Sequence, residues 1–553
     1  MKKKFVAGIM VTLFLITMMF NAIPLKVSAY TGDPITIGVV GPKGWIQWDG
    51  MWEGCTIAKD LINDAGGMVG GDGKTHEVKL VDIDSHAVPV PQPELGIQEL
   101  LSALEANPDM QFLIGGFRTE CVLPMREACM DYAAANDRPI WFLAGAATDG
   151  LLGVEDDYDR YMYMFRVTPM SSSSLVTQIV QLLGSLIIPK IGYATGVFPV
   201  KTYIVAEDLV WCDSAVEALE DIFLPQLELA GLATHVETAR PSAVETSFGS
   251  ILQDIETKEA KLIIHIFSAV AGASFIKQWG ERGTPAVPVG INVESQMQEF
   301  YAAIGGYCQY ETLMASVGTR TLTNPTSEPL TSEELWDKVK ADYGHAPIYT
   351  TWGAFDALIS LNESCADWYG KACSEMIEDF EAEDRWGILG HFQYTQVGVG
   401  NPMVGGEGHD VYVDTFAYSP IWPSGSVRGH FPQWQNGIME VVWPRGVPPG
   451  ANPLTSADPL PFATKYKLPP FMYSLAESDF AGNSMNTTMP DGAGGYAFFP
   501  MPDRVVDTED RDAVITWWQK TVPWYNLEAD MDGNNFITIS DVARVAIDWL
   551  ATP

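Results

Sequence analysis

The chain of 553 residues is too long for one hydrophobic core, so two or three compact units are expected. Its 17 Trp, 20 Tyr and 24 Phe, with 19% charged residues, belong to a folded globular protein and exclude a disordered acidic polymer. A formal net charge of -37 excludes attraction to nucleic acid or an anionic membrane surface and fits a solvated acidic exterior.

The chain starts MKKKFVAGIMVTLFLITMMFNAIPLKVSAY: lysines, an apolar run from Phe5 to about Ile23, and small residues at Val27-Ser28-Ala29. This is an export signal, and residues 1–29 are assigned as a signal peptide or, because the apolar run is long, as a retained anchor. The expected location is extracytoplasmic, periplasmic or at the cell surface. The seven cysteines include no CxxC pair, which argues against a zinc site. Export permits disulfides, and Cys365 with Cys373 is a candidate local pair.

From Ile35 strands and helices alternate. ITIGVVG reads as a buried strand, Glu53 to Ala65 as a helix stopped by Gly66-Gly67, and HEVKLVDID as a strand. A helix near Leu95 to Leu104, a strand Phe112 to Ile114, a helix Leu123 to Ala135 and a strand Ile140 to Leu143 follow. The rhythm restarts after FRVTPMSSSS, whose serines can cap a helix from Ser174. Strands TYIVAED, KLIIHIF and PAVPVG then precede helices from Ser214, Gly272 and Ser295. Further helices start at Thr331, where Thr331 and Glu334 form a capping box, and at Thr350. Two parallel sheets with helices on both faces are predicted, an α/β architecture of two similar halves. Beyond RWGILGHFQYTQVG the chain turns to Gly, Pro, Trp and short strands, then to an aperiodic stretch and a small helical terminal unit.

In open α/β sheets ligands bind beyond the carboxyl ends of strands, where helix N-termini present free N–H groups. Thr119 in LIGGFRTECVLP and Thr148 in FLAGAATDGLL both follow a strand end, and two such hydroxyls can jointly hold one carboxylate. The same positions are also ordinary sites for a helix-capping threonine. Trp48 and Trp211 fall at strand-to-helix turns and suit an aromatic wall, although most tryptophans serve packing.

ITIGVVGP, DLINDAGG, FLIGGFRTECVLP and FLAGAATDGLL together resemble the leucine/isoleucine/valine-binding proteins, the type I periplasmic solute-binding components of ABC importers, over roughly residues 33–444. The resemblance implies two Rossmann-like lobes joined by a three-crossing hinge, with crossings near Val167, Ala315 and Leu389. It implies residues 33–166 and 316–389 as the first lobe and 170–314 and 390–445 as the second, followed by an irregular extension over 446–502. By motif, Thr119 and Thr148 match residues that take an amino acid's α-carboxylate, the Ala146 carbonyl an acceptor for its ammonium, and Trp48 and Trp211 aromatic positions of the two lobes.

Two departures stand out. Where the family has a tyrosine after KLIIHIF and an acid after PAVPVG, this sequence has Ser268 and Asn292. A neutral Asn cannot give a buried ammonium a charge-assisted bond, so either Glu294 substitutes or the solute is not a simple α-amino acid. Arg118 has two readings, a partner for a second solute carboxylate or a surface or hinge salt bridge.

Near the end, DMDGNNFITISD places oxygen donors at calcium-loop spacing: Asp530, Asp532, Asn534, the Phe536 carbonyl, Thr538 and Asp541. It resembles one dockerin or EF-hand-like loop, with Asn535 where glycine is usual, and residues 503–553 are assigned as a dockerin-like unit. The motif implies Ca2+ as cofactor, with no organic cofactor, and a cohesin-like protein as a candidate partner; a metal-free acidic turn is the plain alternative. The sequence lacks GxSxG, HExxH and P-loop motifs, so a non-enzymatic receptor is expected. It would capture an amino-acid-like small molecule for an ABC permease; the alternative is a cell-surface sensor or scaffold whose tail recruits a protein.

Overall fold

A computed structural model describes residues 30–168, 170–315, 330–398, 407–411, 430–443, 466–469, 472, 486–490 and 496–500. Residues 1–29, expected to be an export signal, and residues 530–541, expected to form a calcium loop, lie outside the described residues.

The first sheet is built from β1 (Ile35–Gly41), α1 (Ile46–Asp64), β2 (Val78–Asp84), α2 (Pro93–Ala106), β3 (Phe112–Gly115), α3 (Thr119–Asn136), β4 (Ile140–Leu143) and β5 (Met164–Arg166). Its five strands run in the order β2-β1-β3-β4-β5, all parallel. The second half comprises α4 (Ser172–Leu182), β6 (Val200–Ala206), α5 (Val210–Glu217), β7 (Ala233–Ala239), α6 (Gly249–Thr257), β8 (Leu262–Phe267), α7 (Val270–Arg282), β9 (Val287–Asn292) and β10 (Thr312–Leu313). After α8 (Ser332–Tyr343), α9 (Tyr349–Glu363) and α10 (Cys373–Glu381), the hairpin β11 (Phe431–Gln435) and β12 (Ile438–Trp443) completes this sheet. Its order is β12-β11-β10-β9-β8-β6-β7, parallel from β7 to β10 and antiparallel at the hairpin edge.

The near-continuous apolar runs follow from this layering, because a parallel strand covered on both faces buries every side chain. Along β8, Leu262, Ile264 and Ile266 join the main core, while Ile263 and Phe267 pack on the other face with Phe248 and Phe275. Each such large apolar side chain contributes about 1.5–3 kcal/mol when fully buried. Local chemistry sets the helix starts: the Ser171 hydroxyl accepts from Ser174 N–H at 3.3 Å, and Thr331 and Glu334 form the expected capping box.

Chain crossings put α9 back on the first half, where it packs against α1. Gly54 permits this, since a Cβ there would lie 2.3 Å from the Thr351 carbonyl oxygen. Helix α1 begins at Ile46, earlier than the apolar spacing from Glu53 suggests. Trp48 and Met51 on its first turns are buried.

Three expectations need correction. Cys365 and Cys373 form no disulfide; all seven cysteines are free and buried, and Cys373 Sγ instead lies 3.8 Å from the Gln111 carbonyl. The helix expected from Ser295 is a single 3-10 turn, Glu294–Gln296, followed by the short helix Phe300–Ala303. The segment around Thr395 and residues 407–411, expected in the second lobe, lies against the first, where Asp410 bridges to Arg166 at the end of β5. The cause is charge: Arg166 is fully buried, and Asp410 at 2.6 Å and Glu407 at 3.6 Å supply its counter-charges. Among the described residues, no helix is long and apolar enough to cross a membrane.

Candidate functional site

The site is assembled from turns that follow the carboxyl ends of both sheets. In the first half β3 ends on Gly115 and Gly116, with φ of 113° and 102°, conformations that side chains rarely adopt. A Cβ on Gly115 would sit 2.2 Å from the Val40 carbonyl oxygen, so the chain hugs β1 before α3 begins. This tight exit sets Thr119 at the first turn of α3. After β4, the Ala146–Thr148 turn brings the second hydroxyl alongside: Thr119 Oγ1 and Thr148 Oγ1 are 2.6 Å apart.

The Ala146–Thr148 turn is braced from behind. Arg166 Nη2 donates to the Thr148 carbonyl at 2.8 Å, and the Glu407 carboxylate accepts from the Leu152 and Gly153 N–H groups at 2.9 and 3.0 Å. Burial pushes Glu407 up to about 7, against the pull of Arg166. Ala146 is buried; the neighbouring Ala147 carbonyl is taken by Ser172 N–H at 2.7 Å. Trp48 is buried and stacks on Trp52 with ring centroids 5.4 Å apart, and the Lys43 ammonium lies 6.0 Å from its ring.

In the second half, Glu207 follows β6, Ser268 follows β8, and Asn292 and Glu294 close and follow β9. Trp211 is buried and donates its indole N–H to Glu207 Oε1 at 2.7 Å, an oxygen that also accepts from Ser268 N–H at 2.9 Å. Asn292 is fully buried and gives its amide to Glu311 at 3.0 Å; Ser295 Oγ donates to the same carboxylate at 2.6 Å, and His265 Nε2 lies 3.3 Å from it. Asn292 therefore braces the second lobe from within. Glu294 differs: it is half-buried, has no ion-pair partner among the described residues, and loss of hydration pushes its carboxyl up to about 7.

The two halves touch through these turns. Gln47 Nε2 donates to the Ser268 carbonyl at 2.9 Å, Val210 N–H to Glu120 Oε1 at 2.5 Å, and Tyr349 N–H to Gln296 Oε1 at 3.4 Å. Arg118, with φ of 60°, reaches across to Ser268 Oγ at 3.0 Å and lies 4.0 Å from Glu207. Among the described residues, the carboxylate facing Arg118 from the second half is that of Glu207. Sequence reasoning missed Gln47 and Glu207. For Glu207 a signal existed: an acid directly after the apolar run of a strand, at the end where such sheets bind ligands.

No protein-family model matches the chain, and no curated protein matches it in sequence. Solved structures match it in fold. The substrate-binding protein of a branched-chain amino acid transporter from Streptococcus pneumoniae, in complex with isoleucine, superposes with a TM-score of 0.55 at 15% identity, covering 74% of this chain and 100% of that one. A solute-binding protein of an ABC transporter from R. palustris, in complex with benzoate, gives 0.53 at 14% identity over 74% of this chain and 95% of that one. The chain has the type I periplasmic-binding-protein fold. A branched-chain amino acid ABC transporter periplasmic ligand-binding protein from Burkholderia xenovorans, at 0.52 and 16% identity, covers 74% of this chain and 94% of that one. The periplasmic-binding-protein fold accounts for the two parallel sheets and for turns of the two halves that meet one another.

Proposed function

We propose that this chain is an extracytoplasmic solute-binding protein that captures an amino acid or amino-acid-like small molecule and delivers it to an ABC permease. What supports this reading is the chemistry of the turns that follow the strand ends of the two halves. Two hydroxyls, Thr119 and Thr148, stand together on one lobe, and Glu294, a carboxyl without a counter-ion among the described residues, follows a strand end on the other. The hydroxyls would turn from each other to the solute's carboxylate. Glu294 would take the ammonium in place of the Asn292 position. Trp48 and Trp211 would flank the side chain. A solute touching both lobes stabilises the closed form over the open one by its differential contacts. Export through the N-terminal segment belongs to the same reading.

A second reading, an aromatic acid, draws on the same threonines and tryptophans, and structural neighbours were solved with benzoate and with isoleucine. Glu294 separates the two by the sign of a pH effect. An ammonium favours the ionised carboxylate, so amino-acid affinity rises as pH passes upward through about 7; a carboxylate without an ammonium loses affinity over the same interval. Thermal-shift screening of amino acids and aromatic acids at pH values on either side of that point decides between them. No hit in either class, across both pH values, removes the solute reading.

The calcium reading rests on the spacing of Asp530, Asp532, Asn534, Thr538 and Asp541 in the sequence. Calcium titration of the full chain and of an Asp530→Ala, Asp532→Ala variant tests it; identical melting responses in both reject it. A cohesin-like partner would follow only from a calcium-dependent tail.

A further inference from the structure

Arg118 and Glu207 stand on opposite lobes, and both are buried, at 2% and 0% exposure. On its own lobe the guanidinium is anchored by Nη1, which donates to the carbonyls of Ala87 and Pro89 at 2.9 Å each. On the other lobe Nε donates to Ser268 Oγ at 3.0 Å. Nη2 has no hydrogen-bond partner, and the group it meets is Glu207 Oε2, 4.0 Å away and also unbonded. Glu207 is fixed from its own side through Oε1 by Trp211 and Ser268. Each ion is thus oriented by its own lobe, and one edge of each is left for the other.

We infer that Glu207 is a specificity-determining residue: as a tethered counter-ion for Arg118 it fills the place a solute's second anionic group would take, and it holds the lobes together. Two consequences follow. Dicarboxylic solutes are refused, because among the described residues the buried guanidinium that reaches the other lobe at these turns already faces the Glu207 carboxyl. Closure also has a contact of its own, since separating the lobes parts the guanidinium from Ser268 Oγ and from the Glu207 carboxyl. The closure arm does not depend on the solute reading of the preceding section; the exclusion arm rests on it.

The test uses the full chain with spin labels at the exposed positions Glu99→Cys in the first lobe and Glu281→Cys in the second, the native cysteines being buried. Without added solute, the unaltered pair should give one short interlobe distance. Arg118→Gln and Glu207→Gln should each give a longer, broader distribution. Succinate should restore the short distance in Glu207→Gln at concentrations that leave the parent and Arg118→Gln unchanged. A parent that is already open, a Glu207→Gln protein that stays closed, or one that ignores succinate overturns the inference. If Glu207→Gln fails to fold by circular dichroism, Arg118→Gln with Glu207→Gln removes both charges together; its opening supports the inference and its closure refutes it. A failed amino-acid screen alongside the expected distances counts against the solute reading alone.

Discussion

The two lobes share one construction and present opposite chemistry. At the strand ends of the first, hydroxyls are paired and braced from behind by Arg166 and Glu407. At the strand ends of the second, carboxyl groups dominate: Glu207 faces Arg118, Asn292 is bound to Glu311, and Glu294 stands without a counter-ion among the described residues. The difference shows how a repeated fold becomes polar along the axis of its cleft. Backbone geometry is common to both halves, and on the proposed reading a few residues just past the strands would decide which lobe receives which end of a guest.

The sharpest way to break this contrast is to remove both hydroxyls. A hydrogen bond to a charged group contributes about 1.5–3 kcal/mol, so Thr119→Val with Thr148→Val should lower solute affinity at least about a hundredfold with an unchanged melting temperature, as calorimetric titration would show. Next in size, Glu294→Gln should weaken an amino acid by about tenfold to a hundredfold and flatten the pH dependence. An undiminished pH slope would place the titrating group elsewhere. Smaller effects on binding come from the braces. Asn292→Ala leaves one Glu311 oxygen with a lost donor in a buried site, which should cost about 1–3 kcal/mol of stability in a denaturant melt and leave affinity nearly intact. Smallest of all, deleting residues 530–541 should leave solute affinity unchanged and abolish any calcium-induced stabilisation.

Much of the fold was legible because a parallel sheet covered on both sides requires continuous apolar strands, and those are easy to read in ITIGVVG or KLIIHIF. The pairing of Thr119 with Thr148 was legible for a related reason: each follows its strand by only a few residues, and adjacent strands keep such turns together. Side-chain direction was not. Nothing in PAVPVGINVES tells that Asn292 turns inward to Glu311 and leaves Glu294 half-exposed, because that depends on a partner 19 residues away. The Arg118–Glu207 encounter joins residues of different lobes, and periodicity within one element carries no information about it. The Thr395 and 407–411 segment was misplaced for the same reason. Its position follows from the counter-charge that buried Arg166 requires, a long-range demand with no local pattern.

The most direct measurement is a crystal structure of the protein with the tightest amino acid from the screen. The solute's carboxylate is expected on the Thr119 and Thr148 hydroxyls, its ammonium on Glu294, and the Arg118–Glu207 pair still joined beside it. A solute bound away from the cleft, or one seated there while the two threonine hydroxyls remain bonded only to each other, would contradict this expectation.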